Sequence, residues 1–281
     1  MRLDPVPTGA NVSLTDAAAR PADAGEADKS ALHTRLDALT GRLDKLQYAL
    51  YAEAKRALLV VLQGRDTSGK DGTIRNVFGP LDPQSTAVTA FKAPTEQELR
   101  HDFLWRVHQA VPGHGLIGIF NRSHYEDVLV VRVRQLVPES VWRPRYEQIN
   151  RFERNLVESG TTLLKFFLHI SRGEQRERLL ARLEEPDKFW KFNPGDLEDR
   201  RRWDDYTVAA EEMIARTSTD VAPWYVVPAD RKPLRDVLVA ETMVSALERM
   251  DPKYPAPTGD LKEWRRELAE AQLRPSGPTS T

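Results

Sequence analysis

Leu32, Leu36, Leu39, Leu43, Leu46 and Leu50 recur at alternating steps of four and three, which places them on one stripe of an amphipathic helix. A stripe this short packs on its own chain more readily than it forms an intermolecular seam. The period then changes. Residues 57–62 form a continuous apolar run that ends in glycine and polar residues, the pattern of a strand covered on both faces. Runs of the same kind fall at 86–91, 116–120, 162–170 and 221–227. Helical patterns separate several of them: 95–111, stopped by Pro112-Gly113; 143–159, stopped by Gly160; and 173–184, stopped by Pro186. A further helix is predicted with Asn193 as N-cap, Pro194 at its first position and Asp196 at the capping-box position, running to about Arg216. A last core helix covers 231–249.

Strand alternating with helix predicts an α/β fold whose mainly parallel, five-stranded sheet is flanked by helices, with ligand sites at the carboxyl ends of the strands. The first 29 residues mix Pro, Ala, Gly and scattered acids and are expected to form a disordered tail. Residues 30–250 form the expected domain, and 251–281, rich in Pro and polar residues around one short helical piece, a second tail. The 281-residue chain carries 41 basic and 42 acidic residues, a net charge of −1. No global basic excess announces a nucleic-acid or membrane binder, so any polyanion site must be local. The absence of cysteine excludes disulfides, thiolate nucleophiles and cysteine-ligated metals. No apolar stretch approaches the roughly 20 residues needed to cross a bilayer, and the start of the chain does not read as a secretory signal. A cytoplasmic location is the expectation.

Gly64-Arg-Asp-Thr-Ser-Gly69-Lys70 follows the first strand directly and precedes a helical stretch at 71–78, the context required of a phosphate-binding loop. Its glycines let backbone N–H groups curl around an anion, and Lys70 supplies an ammonium to phosphate oxygens. Two details depart from the usual nucleoside-triphosphatase pattern. Asp71 stands where a hydroxyl would ligate Mg²⁺, and the third strand ends in Asn121 where an Asp usually supports the metal. Asp66 instead sits inside the loop. A bare carboxylate beside phosphates would be repelled by about 4 kcal/mol at 4 Å and an effective dielectric of 20. The expectation is therefore that Asp66 helps hold Mg²⁺, against the simpler reading of a turn former bonded to its own backbone.

The third strand leads into Asn121-Arg-Ser-His-Tyr-Glu-Asp127. Arg122 is a candidate clamp for phosphoryl oxygens, with Glu126 and Asp127 as candidate helpers of metal or acceptor; structural ion pairing is the competing reading. The stretch 188–203 holds Lys188, Lys191, Arg200, Arg201 and Arg202 against three acids. It suits a helical lid, about 186–216, closing over a polyphosphate or nucleotide, or else a solvated charged face. Trp190, Phe192 and Trp203 are expected to pack that lid against the body.

Four segments, 63–74, 120–129, 188–198 and 222–227, resemble the polyphosphate kinase 2 family in this order, within a likeness spanning roughly 32–250. The resemblance implies a P-loop kinase fold with a helical lid, Mg²⁺ dependence, and inorganic polyphosphate as phosphoryl donor to a nucleotide. It assigns the family's loop aspartate and lysine to Asp66 and Lys70, its second-motif arginine to Arg122, and lid arginines to Arg200, Arg201 and Arg202. The phosphate- and nucleotide-binding set then comprises Gly64, Arg65, Thr67, Ser68, Gly69, Asp71, Gly72, Thr73, Arg75 and Asn121, with Lys188 and Lys191. Many members carry Asp-Arg-Ser-Trp-Tyr-Asn-Arg in the second motif. The His124, Glu126 and Asp127 of this chain look like the class III subgroup that phosphorylates nucleoside mono- and diphosphates. A homodimer or homotetramer is also implied.

The expected reaction moves the terminal phosphoryl of polyphosphate to AMP or ADP, reversibly, with guanine nucleotides as further candidates and no nucleic-acid or membrane partner. The alternatives are an ATP-dependent nucleoside monophosphate kinase, which would be expected to carry a hydroxyl after Lys70, and a non-catalytic phosphate- or nucleic-acid-binding module.

Overall fold

A computed structural model describes residues 2–21 and 28–273. Its five strands are β1 (Ala57–Gln63), β2 (Thr86–Ala90), β3 (Ile117–Asn121), β4 (Thr161–His169) and β5 (Trp224–Pro228). They form one sheet in the order β2-β3-β1-β4-β5, and every neighbouring pair is parallel. The helices longer than ten residues are α1 (Lys29–Glu53), α2 (Arg145–Glu158), α3 (Arg172–Glu184), α4 (Trp203–Thr217), α5 (Lys232–Met250) and α6 (Leu261–Leu273).

The central strand shows why the sheet is sandwiched. All seven residues of β1 are buried, and alternate side chains of a strand point to opposite faces. Leu58, Val60 and Leu62 join a core with Leu32, Leu36, Leu43 and Leu50 of α1 and the apolar face of α5. Leu59 and Val61 join the opposite core, with Ile149 and Phe152 of α2 and Met213 and Ile214 of α4. The leucine stripe of α1 thus packs inside its own chain.

Several expected elements break where local polar groups intervene. At 95–111, Thr95 and Glu98 form a reciprocal cap, but His101 turns extended and the Asp102 carboxylate accepts the N–H of Leu104. Only Glu98–Arg100 and Trp105–Gln109 are helical. Pro144 separates a short turn, Glu139–Trp142, from α2. The helix predicted from Asn193 divides at Arg202 into Gly195–Arg201 and α4. The N-cap expected at Asn193 shifts by one residue: Pro194 precedes the first helical residue and no side chain caps it, while the Asn193 side-chain amide oxygen accepts from Gly195 N at 2.8 Å and Asp196 accepts from Asn193 N at 3.2 Å. The fifth strand starts at Trp224 because residues 219–222 close a turn, with Thr219 and Ala222 bonded to one another.

The expectation of a disordered N-terminal tail is corrected for residues 2–21. Leu3, Leu14 and Ala19 are buried. Val6 N donates to Trp224 O at 2.8 Å on the outer side of β5, His169 Nε2 meets Thr15 O at 2.7 Å, and Asp16 accepts from Arg172 N at 3.0 Å. The segment covers a sheet edge that would otherwise expose unpaired backbone groups. The remainder of that expectation, 22–27, and the end of the C-terminal one, 274–281, lie outside the described residues. In the second tail, α6 is exposed along its length over 261–270. Among the described residues no helix is long and apolar enough to cross a membrane.

Candidate active site

The loop after β1 is shaped by two glycines. Gly64 has φ +150°, and a Cβ there would stand 2.6 Å from the carbonyl oxygen of Leu168 on the adjacent β4. Gly69 has φ +103°, and a Cβ there would stand 1.7 Å from Nη1 of Arg235. A left-handed backbone and a close approach both require the missing side chain. Thr67, with φ 63°, is a non-glycine residue in the same strained region. Gly69 caps the helical segment 70–78, made of Lys70–Thr73 and a π-type turn at Ile74–Phe78.

One face of α3 grips this loop. Gln175, Arg178 and Arg182 are spaced three and four apart, so they share a helix face. Gln175 Nε2 donates to Asp66 O at 3.3 Å. Arg178 donates to Thr67 O at 2.9 Å and to the carbonyls of Ala229 and Asp230, each at 2.8 Å. Arg182 meets the Asp66 carboxylate at 2.6 Å and that of Asp196 at 3.0 Å, joining the loop to the lid. Arg182 thus supplies an opposite charge at Asp66, so repulsion alone does not require a cation there.

Under the loop, Arg235 is 1% exposed. It is paired with Asp236 at 2.7 Å and reaches Ser68 O at 3.4 Å. Lys70 folds back on the loop, its Nζ donating to Gly64 O at 2.7 Å and Arg65 O at 3.1 Å. Burial, and then the neighbouring Arg122 charge, bring its ammonium down to about 8.

Arg122 is placed by a turn at the end of β3. Its φ is 62°, its N–H donates to Leu62 O at 3.0 Å, and the following Ser123 Oγ accepts from Gln63 Nε2 and Tyr125 N. Beneath it lies a buried polar cluster. Lys165 Nζ donates to Glu153 at 2.6 Å, Thr217 O at 2.7 Å and the Tyr125 hydroxyl at 2.9 Å. Tyr125 donates to Glu153 at 2.7 Å, and His124 Nε2 lies 3.3 Å from the same carboxylate. Burial pushes Glu153 up, but Lys165 and His124 outweigh it and hold the carboxyl below its usual range. All three protons of the lysine find acceptors, the condition for tolerating a buried ion pair.

These elements surround a cavity of 490 Å³ lined by Asp66, Thr67, Gly69, Lys70, Asp71, Gly72, Asn121, Arg122, Lys188 and Lys191 from the expected set. Lys92, Arg178, Arg182, Lys232 and Arg235 line it as well, and sequence reasoning missed them. Nine cationic side chains thus face two carboxylates in a chain whose net charge is −1. The available signal for Arg178 and Arg182 was their four-residue spacing on a helix that begins at a strand's carboxyl end. The clustering of charge along the sequence pointed instead to residues 200–202.

The other expected residues are not brought to the cavity. Arg65 turns away and stacks on Trp203, 3.8 Å from the ring centroid; burial brings its guanidinium down to about 10. Gly64 contributes the carbonyl that accepts Lys70. Ser68 and Thr73 are fully buried, Thr73 donating to Asp236. Arg75 lies on a neighbouring cavity. Asp127 is paired with Arg145 at 2.9 Å. Glu126 does not line the cavity, although its charge is felt at Lys70. Arg200 donates to Arg172 O and Gln175, Arg202 to Val133 O, and Arg201 is exposed. Of the lid aromatics, Trp203 packs as expected at 6% exposure, whereas Trp190 is 78% exposed.

For Mg²⁺ the relevant donors are the carboxylates of Asp66 and Asp71, both on the cavity wall. Asp71 accepts from Asn121 Nδ2 at 2.8 Å. Among the described residues no three or more His, Cys, Asp or Glu side chains gather to form a cage. Mg²⁺ is ordinarily held by one or two carboxylates together with water and substrate phosphates, and the two aspartates fit that shared arrangement.

A parallel sheet with a glycine-shaped anion loop after its central strand, walled by cations from α3 and α5, defines a P-loop phosphotransferase of the kinase type. The family model described as polyphosphate kinase 2 matches residues 26–255, and the chain belongs to that family. It is 56% identical over 232 residues to an AMP/ADP-polyphosphate phosphotransferase of Meiothermus ruber, covering 83% of this chain and 87% of the relative. It is 43% identical over 256 residues to an ADP-polyphosphate phosphotransferase of Rhodopseudomonas palustris, covering 85% and 89%. The crystal structure of polyphosphate kinase 2 from Arthrobacter aurescens TC1 superposes with a TM-score of 0.87 at 41% identity, covering 90% of each chain.

Proposed function

We propose that this chain transfers the terminal phosphoryl group of inorganic polyphosphate to AMP or ADP, in a reaction that also runs in reverse. The observation that carries this reading is the cavity wall, nine cations against two carboxylates at the end of β1. The names of the relatives from Meiothermus ruber and Rhodopseudomonas palustris agree with it. Bringing two polyanions end to end costs about 4 kcal/mol for each like pair at 4 Å and an effective dielectric of 20. That repulsion has to be offset before any bond changes, and a neutral cavity would not do it.

In the transfer, the bond between the terminal phosphorus and its bridging oxygen breaks. A bond from an acceptor phosphate oxygen forms in line, and the polyphosphate, one unit shorter, leaves with the electron pair. Lys70 and Arg122 neutralise charge on the moving group, and Lys188 and Lys191 carry charge from the lid to the same wall. Arg178 and Gln175 hold the loop carbonyls so that the loop N–H groups stay turned inward. Asp66 and Asp71 are the residues that would hold Mg²⁺, which supplies further charge neutralisation when bound. No covalent enzyme intermediate is needed.

The rival reading, an ATP-dependent nucleoside monophosphate kinase, is separated by two tubes. One holds ADP, Mg²⁺ and long-chain polyphosphate, the other ATP and AMP with Mg²⁺. New ATP in the first tube is the expected result; ADP formed only in the second sinks the proposal.

A further inference from the structure

A second cavity, of 760 Å³, lies beside the first, between the N-terminal turns of α1 and α5 and the helical segment that follows the phosphate loop. Asn76 and Lys232 line both cavities. The two cavities therefore share a wall, and the second is within reach of a ligand too long for the first. We propose that this second cavity is an exosite for the distal units of a long polyphosphate chain whose reacting end lies at Lys70 and Arg122. The inference rests on the proposed function and adds a determinant of donor length to it.

Charge supports the assignment. Lys29, Arg75 and Lys232 face the cavity. Most of the acids on its wall are committed to protein donors. Asp236 is bonded to Arg235, Thr73 and Asn76, Glu174 to Arg178, and Asp230 to the N–H and hydroxyl of Ser171. Asp37, exposed on α1, is the remaining carboxylate. At the junction, burial and then the charges of Arg178, Lys188 and Arg235 push the Lys232 ammonium below its ordinary range. Cations crowded against one another in this way are relieved by an anion. The N-terminus of α5, with no side-chain cap, adds partial positive charge at the same place.

The wall also selects the ligand class. Among the described residues its wall holds no Phe, Tyr or Trp, and His33 supplies the one aromatic ring, so a nucleobase would find a single small imidazole face rather than a stacking platform. A string of phosphates needs only spaced positive charge. The cavity therefore suits the inorganic chain rather than a second nucleotide.

The test compares a long-chain polyphosphate with tripolyphosphate as donors to ADP, using the full chain and the double variant Lys29→Ala/Arg75→Ala. Both side chains are exposed, and an unchanged unfolding midpoint verifies that the variant is folded. Wild type is expected to show a lower KM for the long donor than for the short one. In the variant the KM for the long donor should rise about tenfold, as two surface charge contacts allow, while kcat and the KM for tripolyphosphate stay put. The dependence of the long-donor KM on salt should also weaken. A long-donor KM within about twofold of wild type, an equal rise for both donors, or no preference for length in wild type would overturn the exosite. Wild type that uses neither donor would instead remove the proposed function, and the exosite with it, so the two failures are told apart before any variant is compared.

Discussion

Replacing Gly69 by alanine tests whether the phosphate loop is built on Arg235. The new Cβ would stand 1.7 Å from Nη1 and 2.7 Å from Cζ of that arginine, so the guanidinium must move. Arg235 and Asp236 are each 1% exposed, and separating them leaves a buried carboxylate short of its cation, at roughly 3–5 kcal/mol. Holding alanine at φ +103° adds about 1–2 kcal/mol. The sum is about 4–7 kcal/mol, enough to lower the melting temperature by roughly 10 °C or more in a domain of this size. Urea unfolding followed by fluorescence and by circular dichroism measures it, with coincident transitions as the check on two-state behaviour. The cost should be conditional. In an Arg235→Ala background the methyl has room, and only the backbone part of about 1–2 kcal/mol should remain, giving a coupling of about 3 kcal/mol. A Gly69→Ala protein within about 1 kcal/mol of wild type, or the same loss in both backgrounds, would refute the reasoning.

Three further outcomes follow from the same geometry. Lys165→Met should destabilise by about 3–5 kcal/mol by stranding Glu153, and Lys165→Met/Glu153→Leu should recover most of that, as read by denaturant midpoints. The kcat/KM for polyphosphate should fall as pH rises through about 8, where free Lys70 loses its proton, and Lys70→Arg should remove that limb. Because this folded value lies below the ordinary lysine value of about 10.4, the unfolded chain binds more protons between the two. The contribution of Lys70 to stability therefore rises over the window in which activity falls. Arg178→Ala should cost about 1–3 kcal/mol by leaving the carbonyls of Thr67, Ala229 and Asp230 without their donor, and should raise the donor KM by loosening the loop.

Periodicity and punctuation made the sheet legible. Four of the five continuous apolar runs correspond to parallel strands buried from both sides, whereas β2 lies at the sheet edge and is largely exposed, and the glycines at 64 and 69 marked a turn that only they can make. The turn at Asn193 was legible for the same reason, since its bonds to Gly195 and Asp196 are local. What stayed hidden depends on facing rather than order. Arg178 and Arg182 reach the cavity because α3 lies over the loop. Arg200 and Arg202, though clustered in sequence, turn to backbone carbonyls of Arg172 and Val133. The segment 2–21 carries no period because its contacts are single backbone bonds and isolated apolar anchors such as Leu3 and Leu14. The helix expected over 95–111 shows the converse. The Asp102 side chain offers the backbone a competing bond, and only Glu98–Arg100 and Trp105–Gln109 become helical.

The most direct measurement of the central claim is the turnover of Lys70→Ala with polyphosphate and ADP, set beside its unfolding midpoint. Phosphoryl transfer in the cavity between the loop, Arg122 and α3 predicts a loss of at least about a hundredfold in kcat with the midpoint preserved. Turnover close to wild type in a folded Lys70→Ala protein would contradict it.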